Sequence, residues 1–254
     1  MQNSLIKIPL IVIGFAIVFS IIWSIYRPAP MSPTVTPITS NTDTENSKDS
    51  NTMCYYRADK TKRGLYDRYY VILNIEGNKI TGEFKNLPAE KDSKVGTFEG
   101  VIENQNELSV SNIATLWWNS LAEGMNNKEE LVIVYDENSA KVGFGEMIEQ
   151  ADKTFVYKDK SNITYGNIIN KIDCKILDQM AFIEKYIQDN IKTIATNQPV
   201  LGGSWYTTNV VADIEKSTAN VTYEDGHVQS KGLVEYTFDK EKGTITIIKF
   251  TVIK

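Results

Sequence analysis

Hydrophobic and polar positions follow different patterns along the chain, and each pattern predicts a different element. Residues 8–26 are an apolar run without a charge. As a helix the run rises about 28 Å, enough to cross the hydrocarbon core of a bilayer. A cleavable signal peptide has a shorter apolar region of about 7 to 15 residues and a cleavage site of small residues. Because this run ends in Trp23, Tyr26 and Arg27, we expect an uncleaved transmembrane signal anchor over residues 1–27.

The next segment, residues 28–52, combines proline, serine, threonine and asparagine with almost no large apolar side chains. Such a composition cannot form a core, so we expect a semi-extended tether. Lys7 and the terminal amine precede the apolar run and Arg27 follows it, a balance that favours a cytoplasmic N-terminus. The tether would then hold a folded part outside the cytoplasm.

Residues 53–176 show the alternation of short β-strands. Over 79–85, for example, Ile80, Gly82 and Phe84 alternate with polar residues, as in a half-buried hairpin. Eight such stretches are present, and glycines recur inside them at positions 82, 96, 100, 143 and 145. Glycine weakens a flat sheet but allows the sharp coiling of a small closed barrel. The pattern favours an antiparallel, up-and-down, lipocalin-like β-barrel over a sandwich.

Residues 177–254 begin with a helical period and continue as strands. Apolar residues follow steps of three and four from Met180 to Ile194, with Asp178 placed as the N-cap and Pro199 beyond the end. Four strand-like stretches come after the helix. We expect the helix to pack on a four-stranded antiparallel sheet, in the order of elements found in cystatins. The whole chain is then mainly β, and α+β by class.

The chain has two cysteines, Cys54 and Cys174, which lie at the two ends of the predicted barrel domain. A bridge between them would close a loop of about 120 residues and remove roughly 4 to 5 kcal/mol of denatured-chain entropy. Such a bond persists only in an oxidising compartment, which agrees with a cell-membrane protein whose folded domains lie outside the cytoplasm. Two unrelated buried thiols are the alternative.

Charge and motif content exclude several classes of function. The net charge of −5 argues against nucleic-acid binding, and the chain has neither of the common phosphate-binding loop motifs, so we expect no nucleotide partner. His227 is the single histidine, which rules out a multi-histidine zinc site. We predict no metal site, no cofactor and no catalytic residue.

A basic run at 57–68 is diluted by Asp59 and Asp67 and predicts either a solvated loop or a contact with an anion or lipid headgroup.

Aromatic residues offer the best candidate ligand site. Five tyrosines lie between positions 55 and 70, and Trp117 and Trp118 are adjacent. They are expected either to fill a core or to provide a stacking surface for a sugar or another small ligand. Glu146 shares a predicted strand face with apolar residues, so we expect it to point inwards or to sit at the barrel mouth. The candidate ligand-binding residues are Trp117, Trp118, Tyr70, Arg57 and Glu146.

The tryptophan pair admits two local structures. If residues 115–118 continue a strand, only one indole can enter the barrel, because successive side chains face opposite ways. If residues 119–125 open a short helix capped by Asn119 or Ser120, both indoles can lie over one end. We read the segment first as a plug that closes the barrel.

Several stretches resemble an uncharacterised family of exported, membrane-tethered bacterial envelope proteins. They are GEFKNLPAEKDSKVGTFEG, WWNSLAEGM with KEEL and VGFGEM after it, and the later IKTIA, LGGSWY and YEDGH. The likeness covers nearly all of the chain beyond the tether. It implies a location in the bacterial envelope and brings with it no activity, substrate or catalytic residue.

These patterns support three hypotheses of function. The first is a non-enzymatic, single-pass envelope protein, anchored in the lipid bilayer through residues 8–26, that binds an unknown ligand or an envelope protein outside the cytoplasm. The second is a carboxylate-based hydrolase of a cell-wall polymer or glycan that uses acids such as Glu146 and Glu99. The third is a structural spacer.

Overall fold

The computed structural model describes residues 51–103, 111–200 and 202–253. The predicted anchor over 1–27 lies outside the described residues, and so does the predicted tether as far as residue 50. Within the described ranges, no helix combines the length and the apolar character needed to cross a membrane. The barrel and the C-terminal sheet described below belong to one compact unit.

Eight antiparallel strands close into a barrel. From β1 to β7 each strand pairs with the next, β7 pairs with both β6 and β11, and β11 returns to β1. The predicted closed up-and-down barrel is therefore confirmed. Three short strands between β7 and β11 lie outside this ring. The strands are β1 Asn51–Lys60, β2 Tyr66–Glu76, β3 Lys79–Leu87, β4 Lys94–Ile102, β5 Asn112–Ala122, β6 Met125–Tyr135, β7 Ser139–Phe144, β8 Met147–Glu149, β9 Thr154–Tyr157, β10 Thr164–Tyr165 and β11 Ile169–Ile172.

Side chains fill most of the barrel interior, and the strands coil tightly around them. Fifteen buried apolar residues form one core, among them Leu73, Phe84 and Ile133. Gly82 faces this core at a close approach of two strands, where an added Cβ would lie 1.8 Å from the carbonyl oxygen of Ile72. Any larger residue would push β2 and β3 apart, so this glycine is required by the coiling that the sequence predicts.

The tryptophan segment is strand throughout. β5 runs from Asn112 to Ala122 and turns through Glu123 and Gly124, both with positive φ (52° and 76°), into β6. Of the two local structures considered for this segment, the continued strand is confirmed and the short helix over residues 119–125 is wrong. The reason is the two-residue turn, which matches the twist of two paired strands and so extends the hairpin to its tip.

The α-helix, α1, spans Cys174–Ile194 and begins earlier than predicted. The carboxylate of Asp173 accepts a hydrogen bond from the Lys175 N–H at 2.9 Å and caps the first turn. The predicted cap, Asp178, lies inside the helix instead. Cys174 forms a disulfide with Cys54 of β1, with the Cα atoms 5.2 Å apart, so the predicted bridge is confirmed. The bridge ties the start of the helix to the barrel.

Four antiparallel strands follow the helix, as the sequence predicts. They are β12 Tyr206–Asp213, β13 Thr218–Glu224, β14 Gln229–Asp239 and β15 Thr244–Ile253, paired in that order. The apolar stripe of α1, including Ile183, Ile187 and Ile191, is buried against one face of this sheet together with Trp205 and Tyr223. The packing of a helix on a four-stranded sheet is confirmed, although the boundary expected between residues 176 and 177 falls inside α1.

A buried ion pair joins the outer face of the barrel to the helix and the C-terminal sheet. Arg68 of β2 lies 2.8 Å from the Glu184 carboxylate of α1, and both side chains are about nine-tenths buried. The same guanidinium nitrogen donates to the carbonyl oxygen of Val210 at 2.8 Å, and the other Glu184 oxygen accepts the Ala212 N–H at 3.1 Å. One charge pair thus connects β2, α1 and β12.

We predict that the Arg68→Met variant loses about 3 to 5 kcal/mol of unfolding free energy, because it leaves a buried carboxylate without its cation. Burial raises the pKa of Glu184, and Arg68 is the cation that opposes this. Between the pKa of Glu184 in the unfolded chain and its raised pKa in the folded variant, the folded state holds a proton that the unfolded chain has released. The stability of the variant therefore falls further as the pH rises across this range. Urea unfolding at mildly acid and mildly alkaline pH measures both effects.

The control is the double variant Arg68→Met with Glu184→Gln, which keeps an oxygen for the Ala212 N–H and removes the charge. We expect it to be more stable than Arg68→Met alone at alkaline pH and to lack the added pH dependence. Equal stability of the two variants at alkaline pH would contradict a role for the unpaired charge.

Candidate functional site

The barrel interior changes from apolar to polar towards one end, and two cavities open there. The first has a volume of about 280 Å³ and the second about 350 Å³, and both are bordered by Asn86 and Phe144. We call this end, with its two cavities, the barrel mouth. The first cavity is lined by Phe84, Asn86, Lys94, Trp118, Glu129, Glu130, Leu131, Gly143, Phe144, Gly145, Met147 and Tyr157.

Trp118 forms the apolar wall of the first cavity. Its indole N–H donates to the carbonyl oxygen of Gly96 at 3.0 Å, and its ring lies 5.1 Å from the ring of Phe84. The ammonium of Lys94 stands 5.1 Å from the indole centroid, a cation–π distance. These contacts fix the indole plane, so the wall is preformed.

A charged cluster stands beside this wall. Trp118 pairs directly with Glu129 across β5 and β6, so both side chains face the interior. The Glu129 carboxylate lies 2.5 Å from the Lys94 ammonium and accepts the Ser120 hydroxyl at 2.6 Å. The carboxylate is almost buried whereas one third of the lysine side chain is exposed. The cluster therefore presents its lysine side, and not its acid, to the cavity opening.

The segment between β7 and β11 covers one side of the mouth. β9 runs parallel to β6 at Lys128 and Glu129, and Tyr157 donates its hydroxyl to the Gly143 carbonyl at 3.0 Å. Burial raises the pKa of Tyr157 to about 12, so the phenol stays a neutral donor. On the outer side of β6, Glu130 lies 2.5 Å from Lys160 of the same segment. These contacts hold the segment against the barrel.

The structure places the predicted site residues in different parts of the molecule. Trp118 faces the mouth, but Trp117 faces outwards, with the Lys128 ammonium 5.4 Å from its ring. Arg57 lies near the second cavity, bound to Asp59 at 2.5 Å and to the Ile168 carbonyl at 2.8 Å. The two tryptophans therefore cannot form one stacking surface.

The other two predicted residues line neither cavity of the mouth. Tyr70 is on the outer face of the barrel, where its hydroxyl accepts from Arg68 at 3.1 Å and its ring packs on Tyr56. Glu146 follows the end of β7 on the surface, with 70% of its side chain exposed and Lys158 at 2.8 Å. Of the two expectations for Glu146, the inward orientation is wrong, because β7 ends at Phe144 and the strand face does not continue to residue 146. The alternative, an acid at the barrel mouth in contact with water, agrees with its exposure and with its position between Gly145 and Met147, which line the first cavity.

The sequence reasoning missed Lys94, Ser120, Glu129 and Phe144. A signal for Glu129 was present, since it is in phase with Leu131, Ile133 and Tyr135, which all face the core. Lys94 and Ser120 join Glu129 only through the pairing of β4, β5 and β6. That pairing is a tertiary property, and no spacing along the chain reports it.

The carboxylates suggested for hydrolysis do not meet at the mouth. Glu99 is exposed on β4 and Glu146 is exposed beyond β7, and neither borders the two cavities. Among the described residues, no group of three or more metal-ligating side chains is assembled.

Comparisons with protein families, with curated proteins and with solved structures found no match for this chain.

We predict that Trp118→Ala lowers the unfolding free energy by about 3 to 5 kcal/mol, as expected for the loss of a buried aromatic side chain. Trp117→Ala is the matched control and should cost clearly less, because this indole packs on the outside of the barrel. Urea unfolding of the two variants measures the difference. An equal or larger loss for Trp117→Ala would contradict the assignment of the two faces.

Proposed function

We propose that this protein is a non-enzymatic binding protein that takes a small ligand at the barrel mouth. The observation that carries the proposal is the placement of a preformed indole wall beside the partly buried Lys94–Glu129 pair, at the open end of a mainly apolar interior. Burying the Glu129 carboxylate is costly, and its pairing with Lys94 gives little net stability. Core stability therefore does not explain a charged pair at this position, whereas a ligand site at the open cavity does.

The lining indicates the kind of ligand. Trp118, Phe84 and Phe144 offer flat apolar surface, and Lys94 and Asn86 offer a few polar groups. Small-molecule sites commonly combine a mainly apolar wall with a small number of placed polar groups. A compact ligand with one flat apolar face and one polar group fits this lining, and a sugar ring or an aromatic acid has that form.

We place this binding protein outside the cytoplasm, anchored by residues 8–26 and held away from the membrane by the tether. The disulfide between Cys54 and Cys174 supports an oxidising compartment. The length of the apolar run and the cations around it support a cytoplasmic N-terminus. The alternatives of a hydrolase and a spacer are favoured less, since the mouth holds a cavity but neither of the acids suggested for hydrolysis lines it.

Binding at the mouth can be tested with the fluorescent probe anilinonaphthalene sulfonate, which has a flat aromatic body and an anionic group. We expect saturable binding that the Phe144→Ala variant weakens by about tenfold, as for the loss of one aromatic contact. Phe144 is 42% exposed, so its truncation should leave the fold intact. Fluorescence titration measures the affinity, and displacement of the probe then screens sugars and aromatic acids.

The matched control is Phe182→Ala, which removes a phenylalanine of similar exposure, 47%, from α1. This variant should bind the probe as the unmodified protein does. Absence of saturable binding, or equal loss in both phenylalanine variants, would refute the site at the mouth.

The proposed location predicts the chemical state of the protein in cells. After alkylation of free thiols, non-reducing mass spectrometry should show Cys54 linked to Cys174 and should recover peptides from residues 8–26. A Cys54→Ser variant, which must show alkylated Cys174, controls for thiol access. Two alkylated cysteines would contradict an oxidising compartment, and a mature N-terminus near residue 30 would contradict an uncleaved anchor.

A further inference from the structure

A separate cleft lies between the β1–β2 hairpin and the C-terminal sheet. Its volume is about 470 Å³, and it shares no lining residue with the barrel mouth. The sheet contributes the face opposite α1, where Asn209 pairs with Thr222 and Thr222 pairs with Lys231. The cleft is lined by Lys60, Gly64, Tyr66, Asn209, Asn220, Val221, Thr222, Gln229, Ser230, Lys231, Gly232 and Ile253.

Among the described residues, the charged side chains that line this cleft are all positive, although the chain as a whole is acidic. Lys60 and Lys231 line it and no carboxylate does. Neither lysine has a salt bridge with any residue in the described part of the chain. Their side chains converge on Gly64, where an added Cβ would lie 3.3 Å from the Lys231 ammonium and 3.7 Å from the Lys60 Cε. Two lysine side chains that approach the same point without an acidic partner among the described residues create a positive potential that attracts an anion.

Contacts within the molecule hold the Lys231 side of the cleft in place. The Lys231 ammonium donates to the carbonyl oxygen of Arg63 in the hairpin. Asn209 donates to the carbonyl oxygen of Tyr66 at 3.2 Å, so the hairpin is attached to the sheet at both edges of the cleft. The Lys231 side of the cleft is thus preorganised, whereas the exposed Lys60 side chain is left for the anion to order.

The rest of the lining matches a hydroxylated ligand. Asn209, Asn220 and Gln229 carry amides, which both donate and accept hydrogen bonds, and Thr222 and Ser230 add hydroxyls. The Tyr66 ring adds a flat surface, with the Lys60 ammonium 6.0 Å from its centroid. Because the cleft is much larger than a lone phosphate, these groups have room for a second part of the ligand.

We propose that this cleft binds a phosphate monoester of a sugar or polyol, with the phosphate between Lys60 and Lys231. Charge-assisted hydrogen bonds from two ammonium groups fit a dianionic phosphate better than a single carboxylate. The sugar hydroxyls then meet the amides and hydroxyls of β12, β13 and β14. The basic run at 57–68 acts in this way as one wall of an anion site.

The test is calorimetric titration of the full chain, kept in mild detergent because of its apolar run, with glucose 6-phosphate, glucose and inorganic phosphate. We expect saturable binding of glucose 6-phosphate, weaker binding of phosphate and none of glucose. Lys60→Met and Lys231→Met should each weaken the binding by about tenfold. Lys240→Met is the matched control at the opposite end of β14 and should leave it unchanged.

The possible results separate the proposal from its rivals. No saturable binding of glucose 6-phosphate, or equal binding of glucose, overturns the proposal, and so does equal binding of phosphate alone. Because Lys231 also holds the hairpin, Lys60→Met is the decisive variant: Lys60 is exposed and forms no such bond. Unchanged affinity in a folded Lys60→Met protein overturns the assigned phosphate position.

A second arm distinguishes a soluble ester from a lipid headgroup. Vesicles with and without phosphatidylglycerol are compared for the unmodified protein and for Lys60→Met. Lysine-dependent binding to the anionic vesicles, with no binding of glucose 6-phosphate, would overturn the soluble sugar as the ligand. In both experiments the Phe144→Ala variant should bind glucose 6-phosphate and the vesicles as the unmodified protein does. This result would show that the cleft is independent of the site at the barrel mouth.

Discussion

The ion pair between Arg68 and Glu184 is the contact on which the arrangement of the folded part depends. A disulfide fixes only the start of α1, and apolar packing between curved surfaces allows sliding. A buried charge pair allows very little, because each charge needs its partners at hydrogen-bonding distance. The pair therefore sets the position of β2 against the C-terminal sheet. That position brings the β1–β2 hairpin over the sheet and creates the cleft that Lys60 and Lys231 line.

Closure of the barrel imposes a second constraint, on where a ligand can bind. Eight strands leave an interior that side chains fill, so a cavity can form only where the filling stops. It stops at the mouth, where Lys94, Ser120 and Glu129 take interior positions that are apolar elsewhere in the barrel. The segment between β7 and β11 extends the wall beyond the ring of strands and encloses part of the cavity. The site is thus made by an interruption of the core.

The fold was readable from the sequence where one strand or one helix face carries the information. Alternation predicted the strands of the barrel, and the steps of three and four from Met180 predicted the buried face of α1. The strand reading of residues 115–118 also predicted that only one tryptophan enters the interior. The errors concerned the boundaries of elements. The helix begins after Asp173 and not after Asp178, and β7 stops before Glu146. Both ends are decided by local capping and pairing that several nearby residues could satisfy.

The two candidate sites could not be predicted as sites because each depends on residues that only pairing brings together. Their electrostatics also differ in kind. At the mouth Lys94 is already paired with Glu129 at 2.5 Å, so the anionic group of a ligand gains less there than beside an unpaired lysine, and the flat apolar part of the ligand contributes more. In the cleft Lys60 and Lys231 have no acidic partner among the described residues, and an anion relieves their mutual repulsion. The mouth should therefore select a ligand by its shape and the cleft should select a ligand by its charge. No single molecule is then expected to be a good ligand for both sites.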